Sequence, residues 1–452
     1  MKIQRIEVEG LYGLHNYEIP FDDKEKIKII HAPNGYGKTT ILKLTNDIIN
    51  GNLFEINQIP FSYFSIQFDN LDTIEVFKEN KSKYNDVGQH IDTFSITYKI
   101  SKDSKAKEYK LGGKNNYSKL LEGRVPISYI DEEFPFLKRI GPRAWFDKRT
   151  DERITYDEII NMYGELLFMN KELNDILAEV RKMMPVHFIN ANRLIKSGIF
   201  NQNYNYASTA ARRESSEPSV LVYSKKLAEI IENTLAKSGT LTQELDRTFP
   251  ERLIQRMTCN NDNQIITIQS INKELEELEN RRIKLEEVGL LATSNNTTVQ
   301  PTGDIDESTI KVLSLYIEDT KKKLNVFNEV ESKINLMKEI INKRFTNKIM
   351  RINTTEGFIF ELPDKNFLSP DKLSSGEQNE LVLIFELLFK SEFNSLILID
   401  EPEISLHIAW QQQFLRDMLE ICNLTGINIL IATHSPDIIN GRWDLTTGLG
   451  GC

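Results

Sequence analysis

The sequence predicts an α/β fold in which a mixed β-sheet with an antiparallel β subdomain is split by a helical insertion. Three patterns lead to this prediction. A strand, a glycine-rich turn and a helix follow one another near the N-terminus, short alternating segments cover residues 61–111, and helices alternate with strands in the last hundred residues. Alternation of helix and strand is typical of a parallel sheet, whereas consecutive short alternating runs favour an antiparallel one.

Composition and charge limit the class of protein. The chain has 452 residues, of which 40% are hydrophobic and 27% charged, and its net charge is −10. A single core stops growing at about 250–300 residues, which predicts two or three domains. The acidic balance argues against a protein coated with nucleic acid. No segment approaches the roughly 20 apolar residues of a membrane span, and three scattered cysteines show no metal-ligand spacing. We therefore expect a cytoplasmic protein with no membrane partner.

The N-terminal region reads as strands that lead into a phosphate loop. Apolar and polar residues alternate over residues 3–8 and again over 17–21. A short apolar strand at 27–30 runs directly into the glycine-rich turn, and residues 40–49 have helical spacing. The segments FSYFSIQF, TIEVF, FSITYKI and KEYKL follow, and their β-branched and aromatic residues predict a small antiparallel sheet.

The middle of the chain is predominantly helical. A core strand is predicted at 185–190, a polar surface loop at 199–218 and a helix at 219–258. Residues 268–290 and 307–344 carry apolar stripes at helical spacing around the polar linker TSNNTTVQPTGD. Two such helices favour an antiparallel helical hairpin, and the alternative is an ordinary pair of packed surface helices.

The C-terminal hundred residues alternate helix and strand, and the whole chain divides into four predicted segments. The predicted elements are helices at 376–390 and 407–422 and strands at 396–400 and 427–432. The predicted segments are an N-terminal lobe with the phosphate loop (1–112), a mixed segment with a loop (113–218), a helical insertion (219–348) and a C-terminal lobe (349–452).

Residues 32–39, Ala-Pro-Asn-Gly-Tyr-Gly-Lys-Thr, predict a phosphate-binding loop of the Walker A type, and a chance glycine-rich turn is the alternative. The glycines let backbone N–H groups face phosphates at a helix N-terminus. Lys38 can reach the β and γ phosphates of ATP, and the Thr39 hydroxyl can ligate Mg²⁺. Ala32 stands where the first glycine of the pattern is usual. The candidate nucleotide-binding residues here are Asn34, Gly35, Tyr36, Gly37, Lys38, Thr39 and Thr40.

Two carboxylates end the apolar strand Leu-Ile-Leu-Ile-Asp-Glu at 396–401. Asp400 lies at the strand end and can hold Mg²⁺ through water. Glu401 points differently and can act as general base for the attacking water. Many strands end in acids, so this pattern alone leaves a structural interpretation open.

The segment Leu-Ser-Ser-Gly-Glu-Gln at 373–378 opens a helix and resembles the ABC signature motif. In that family the motif is offered in trans, so the resemblance implies that it binds the γ-phosphate held by a second protomer. A helix N-terminus with a hydroxyl and a glycine suits an anion. A simple Ser-x-x-Glu capping box is the alternative. Gly376 lies 24 residues before Asp400 (400 − 376 = 24), which favours the signature. Its residues are Ser374, Ser375, Gly376 and Glu377.

The last motif, ILIATHSP at 429–436, places His434 where the family has a switch histidine that contacts the γ-phosphate. In this order the four motifs resemble ABC-type ATPases of the Rad50, SMC and RecF branch. The branch implies an ABC ATPase head that closes head-to-head on a second copy. The separation of 338 positions between Lys38 and Gly376 (376 − 38 = 338) suits a head split by a helical insertion.

A closer resemblance is to the ATPase subunits of bacterial anti-phage systems such as Septu and PARIS. It is carried by the phrases GLYGLHNYEIPF, FLKRIGPRAWFDKRTDE, VHFINANRL and DEPEISLHIAWQQQFL. Asn192 sits where related ATPases have a magnesium-linking glutamine, which makes it a third candidate metal ligand beside Thr39 and Asp400. His407 replaces the aspartate usual in the dimer loop.

The resemblance implies an ATPase that controls a separately encoded effector nuclease, with a phage protein or nucleic acid as trigger. The chain itself shows no nuclease motif, because its six histidines are dispersed and its recognisable acidic pair serves ATP. A DNA repair ATPase of the RecF or Rad50 type is the alternative, and a transporter ATPase is disfavoured. The expected cofactors are ATP and Mg²⁺.

Overall fold

A computed structural model of the chain divides into two compact units. The first comprises residues 1–191, 392–404 and 411–452, and the second comprises residues 192–391 and 405–410. The four predicted segments cut across this division and stay a prediction. The structure describes residues 1–22, 25–84, 90–102, 105–111, 127, 130–131, 134, 136–147, 152–156, 158–159, 171–189, 218–258, 268–291 and 306–450.

A five-stranded parallel sheet forms the centre of the first unit. Its strand order is β11-β15-β16-β3-β17, and every neighbouring pair is parallel. All five residues of β15 are buried, as expected for a strand covered on both faces. The predicted parallel sheet is therefore confirmed. The strands are β3 (Ile27–His31), β11 (Val186–Ile189), β15 (Leu396–Asp400), β16 (Asn428–Thr433) and β17 (Thr446–Gly448).

The second sheet of this unit is antiparallel, six-stranded and ordered β2-β1-β4-β5-β6-β7. The predicted antiparallel sheet over 61–111 is confirmed, and the N-terminal strand pair joins the same sheet. Alternating burial places side chains such as Ile6, Val8 and Phe64 in the core. The strands are β1 (Ile3–Leu11), β2 (His15–Pro20), β4 (Tyr63–Phe68), β5 (Thr73–Tyr84), β6 (His90–Lys102) and β7 (Lys105–Leu111).

Helix α1 (Lys38–Asn50) packs into the same core as the two sheets. Ile41, Leu44 and Ile48 on α1 are fully buried in a cluster that also contains residues of both sheets. Apolar residues spaced three or four apart give the helix one buried face, which fixes its N-terminus beside the end of β3. The unit also contains α2 (Leu53–Gln58), α3 (Lys171–Met183), the short strands β8 (Leu137–Gly141), β9 (Ala144–Asp147) and β10 (Glu152–Thr155), and the turn α10 (Pro436–Ile439).

The second unit is mainly helical. The predicted helix at 307–344 is two helices, because a break at 326–327 places the buried ring of Phe327 between them. The helix predicted at 376–390 is α-helical only to Phe385 and continues as a π-helical turn over Glu386–Lys390. The elements are α4 (Ser219–Thr258), α5 (Ile268–Val288), α6 (Glu307–Asn325), α7 (Asn328–Arg344), β12 (Ile349–Asn353), β13 (Gly357–Glu361), β14 (Phe367–Leu368) and α8 (Ser375–Phe385). Helix α9 (Ile408–Thr425) begins in this unit and continues in the first.

The antiparallel hairpin predicted for residues 268–290 and 307–344 is wrong, because the helices of these two segments run parallel. Lys321 on α6 bonds Glu274 on α5 at 3.0 Å, and Arg281 on α5 bonds Asn328 on α7 at 2.7 Å. The residue numbers rise together along both partners, so α5 runs parallel to α6 and α7. An apolar stripe predicts a buried face but contains no information on the direction of the neighbouring helix.

Helix α4 is the antiparallel partner of α6. Arg252 binds both carboxylate oxygens of Asp319 at 2.6 and 2.8 Å, and Lys323 bonds Asp246 at 3.0 Å. The residue numbers rise along α4 as they fall along α6. The antiparallel partner of α6 is therefore α4 and not α5. None of the helices in the described part of the chain combines the length and apolar composition needed to cross a bilayer.

Candidate nucleotide site

The phosphate loop connects the end of β3 to the first turn of α1. Gly35 and Gly37 have φ angles of 92° and 83°, in the left-handed region that favours glycine. A Cβ on Gly37 would also lie 2.6 Å from the Leu11 side chain. Ala32 is not among the residues with positive φ, so an alanine is compatible with the first position of the loop. The sequence departure at Ala32 therefore leaves the loop conformation intact.

Lys38 is buried within the loop that it follows. Its Nζ atom donates to the carbonyl oxygens of Ala32 at 2.7 Å and Pro33 at 3.1 Å. Its relative exposure is 4%. An ammonium group held across the loop in this way lies close to where the backbone would enclose phosphates.

Aromatic side chains support the loop tip. Tyr36 lies with its ring centroid 5.6 Å from that of His15, and the hydroxyls of Tyr12 and Thr40 are 3.0 Å apart. Asn34 is exposed beside them. The start of β2 thus contacts the phosphate loop, and the turn after β1 contacts the first turn of α1.

Thr39 and Asp400 meet where the loop adjoins the end of β15. The Thr39 hydroxyl lies 2.9 and 3.0 Å from the two carboxylate oxygens of Asp400, to which it donates. Burial raises the pKa of Asp400, with the charge of Glu401 adding to the effect and the Thr39 hydroxyl opposing it. A hydroxyl and a buried carboxylate side by side suit a hard cation such as Mg²⁺. Thr39 and Asp400 are the residues that would hold it.

Replacing Asp400 with Asn should stabilise the nucleotide-free protein and abolish magnesium-dependent hydrolysis. A carboxyl whose folded pKa is raised contributes stability at low pH that is lost as pH rises through that pKa. Removing the charge at neutral pH should therefore raise Tm. Differential scanning calorimetry from pH 5 to 8 measures this, and the gain should shrink towards the acidic end.

Asp444→Asn is the matched control for this prediction. The Arg442 hydrogen bond lowers the pKa of the exposed Asp444 carboxyl, so removing its charge should not raise Tm. An equal rise in both variants would mean that the buried position of Asp400 is not the cause.

Glu401 occupies an unusual backbone conformation directly after β15. Its φ is 42°, and its N–H donates to the Ala432 carbonyl at 2.8 Å. A non-glycine residue in this region costs roughly 1–3 kcal/mol and is found mainly at functional sites. The bond to β16 holds the turn, and the Glu401 side chain is 23% exposed. This carboxylate is therefore partly accessible to solvent.

His434 lies on the turn that follows β16 and faces two glutamates. Its Nδ1 atom is 3.8 Å from Oε1 of Glu401 and 3.1 Å from Oε1 of Glu403. The imidazole is 45% exposed. Glu403 was not predicted from the sequence, where its only signal is a second acid two positions after Glu401.

The signature residues cap helix α8 in the second unit. Ser374 accepts from the Glu377 N–H and the Glu377 side chain accepts from the Ser374 N–H, which is a complete capping box. Burial alone would raise the pKa of Glu377, but hydrogen bonds from Lys348 and Ser374 outweigh it, and the pKa is lowered. Ser374 and Ser375 are exposed, and Gly376 is half-buried. The cap and an anion-binding role are compatible, because the helix N-terminus remains open to solvent.

All predicted site residues except Asn192 fall into two groups. The phosphate loop, Asp400, Glu401 and His434 lie in the first unit. Ser374, Ser375, Gly376 and Glu377 lie in the second, and their role stays a prediction. Asn192, the candidate third magnesium ligand, lies outside the described residues.

The family is shown by a model that matches almost the whole chain. Residues 1–439 match the AAA ATPase domain (AAA_15), so the chain belongs to this family of ATPases. The curated protein "Retron Ec83 probable ATPase" of Escherichia coli is 25% identical over 457 residues, covering 97% of this chain and 69% of its own length.

Solved structures with similarity include two SMC head domains. One, from Pyrococcus furiosus, has an extended coiled coil and is bound to the C-terminal domain of ScpA; it is 14% identical, covers 99% of this chain and 93% of that one, and has a TM-score of 0.35. The head domain from Thermotoga maritima is 10% identical, with coverages of 99% and 94% and a TM-score of 0.30.

Proposed function

We propose that this chain is the magnesium-dependent ATPase subunit of a bacterial anti-phage complex, that it closes head-to-head on ATP, and that it controls a separate effector nuclease. One observation carries the ATPase part of the proposal. The Thr39 hydroxyl at the start of α1 bonds the carboxylate of Asp400, a residue 361 positions later. The fold thus joins the phosphate loop to the strand-end acids.

Each predicted site residue of the first unit has a defined role in this proposal. Lys38 neutralises charge on the β and γ phosphates, and the loop N–H groups bind their oxygens. Thr39 and Asp400 would hold magnesium, which would supply positive charge to the phosphates when bound. Glu401 accepts a proton from the attacking water, and its accessible position beside Asp400 suits that role. His434 lies on the adjacent turn, where it can contact the γ-phosphate.

The second chain supplies the remaining contacts. Ser374 and Ser375 are exposed at the N-terminus of α8, where backbone N–H groups lack helical partners. Such a terminus binds anions, so the proposal directs it towards the γ-phosphate of the opposing protomer. Two composite sites then form in one symmetric pair. This arrangement is proposed because the motifs resemble those of ABC ATPase heads.

The role in defence rests on similarity. The relative from Escherichia coli is named as the probable ATPase of a retron, and this similarity favours an antiviral role over DNA repair. The sequence phrases that resemble Septu and PARIS ATPases favour a separately encoded nuclease as effector. A phage protein or nucleic acid is the proposed trigger.

The test measures ATP hydrolysis and nucleic-acid cleavage by the purified chain and identifies the proteins that bind to it. The purified chain should hydrolyse ATP with Mg²⁺, show no turnover with EDTA, and leave single-stranded and duplex DNA and RNA uncut. Co-expression with the products of adjacent genes, followed by native mass measurement, should yield a complex containing a nuclease. Cleavage by the isolated chain that persists in the Glu401→Gln variant would make this chain the nuclease. Capture of recombination proteins alone would favour a repair role.

A further inference from the structure

Glu403 is a buried acid between the two turns that carry Glu401 and His434. It lies in the 3-10 turn Pro402–Ser405, directly after β15 and Glu401. Its relative exposure is 8%, although isolated carboxylates are rarely buried. A carboxylate in this position costs free energy unless its oxygens are bonded.

The contacts of Glu403 come from the end of the neighbouring strand. Its Oε1 atom accepts from the Thr433 hydroxyl at 2.7 Å and from the His434 N–H at 2.9 Å. The same oxygen lies 3.1 Å from Nδ1 of His434. Its Oε2 atom is buried and has no hydrogen-bond partner among the described residues. One carboxylate therefore accepts from the backbone N–H of His434 and lies beside its ring.

The distances also separate the roles of the two glutamates. Nδ1 of His434 is 3.1 Å from Glu403 but 3.8 Å from Glu401. An ionised carboxylate only accepts, so a protonated Nδ1 can donate to Glu403 across this distance, which leaves Nε2 as the ring atom that faces a ligand. With Nδ1 beside Glu403, the His434 ring does not bond to the carboxylate of Glu401. That carboxylate then stays available to water.

We propose that Glu403 is a positioning residue that fixes the tautomer and orientation of His434 and links its turn to the Glu401 turn. This proposal rests on the proposed ATPase function, in which His434 contacts the γ-phosphate and Glu401 acts on water. Glu403 touches neither nucleotide nor water in this scheme. Its effect on the reaction passes through His434.

The kinetic test is a double-mutant cycle. Glu403→Leu removes both oxygens at similar volume, and His434→Ala removes the ring. Second-layer partners of this kind contribute about 10–100-fold to activity, so we expect kcat to fall by that factor in Glu403→Leu. KM for ATP should change less than about threefold. The double variant should be within about threefold of His434→Ala alone, because both act through one group.

A second variant and a control complete the experiment. Glu403→Gln keeps an acceptor oxygen, so it should retain more activity than Glu403→Leu and keeps the test valid if the leucine variant does not fold. Glu420→Gln, on the exposed side of α9, should match wild type. Near-wild-type kcat in Glu403→Leu, or losses that multiply with those of His434→Ala, would overturn the proposal.

A spectroscopic readout separates this proposal from the ATPase assignment. Nitrogen-15 NMR of labelled histidines, with His434→Ala to assign the signal, reports the tautomer without any turnover. We expect protonated Nδ1 in wild type and mixed tautomers in Glu403→Leu. An unchanged tautomer overturns the role of Glu403, whereas a wild-type chain that shows the Nδ1 tautomer but hydrolyses no ATP overturns only the ATPase proposal.

Discussion

Lys38→Ala is expected to raise the Kd for ATP by about 100-fold or more, because a hydrogen bond to a charged group contributes roughly 1.5–3 kcal/mol and this ammonium serves two phosphates. The Nζ atom already lies inside the loop, 2.7 Å from the Ala32 carbonyl. Isothermal titration with a non-hydrolysable ATP analogue measures the change.

The matched control is Lys110→Ala, which removes an exposed lysine on β7. Its Kd should stay within about threefold of wild type, since a solvated charge contributes little. Equal losses in both variants would indicate a general effect of positive charge. Unchanged affinity in Lys38→Ala would contradict the phosphate-loop assignment.

Glu401→Gln is expected to lower kcat by about 10²–10⁴-fold while ATP affinity changes less than threefold. The amide keeps the size of the side chain but cannot accept a proton from water. Single-turnover hydrolysis measured beside equilibrium binding separates chemistry from affinity.

Glu18→Gln removes an exposed acid on β2 and should behave as wild type. Wild-type turnover in Glu401→Gln would remove Glu401 from the role of general base. Loss of ATP binding in this variant would indicate that the turn after β15, with its φ of 42° at Glu401, needs the glutamate for its structure.

The local part of the site could be predicted from sequence. The phosphate loop needs glycines where φ is positive, and Gly35 and Gly37 occupy those positions. The apolar run before Asp400 predicts a buried strand, and its four residues, 396–399, are all buried. Each of these features depends on neighbours along the chain, so the pattern of residue types is sufficient to find it.

Features that depend on distant residues could not be predicted. The direction of α5 relative to α6 is set by pairs such as Lys321 and Glu274, which are 47 positions apart. Glu403 gains its role from Thr433 and His434 on another strand. The sequence does not show whether a glutamate is buried or exposed to solvent, and only the fold distinguishes the two cases.

The central claim is that each ATP site is shared between two chains, and mixing two inactive variants tests it most directly. Ser374→Arg places a cation where the opposing γ-phosphate would bind, so it should bind ATP but not hydrolyse it. Combined with Lys38→Ala, a mixed dimer has one site with both changes and one with neither. At equal amounts, half of the dimers are mixed and each has one intact site, so about a quarter of wild-type turnover should return. Turnover no higher than the sum of the separate variants, with mixed dimers demonstrated by native mass measurement, would contradict the shared site.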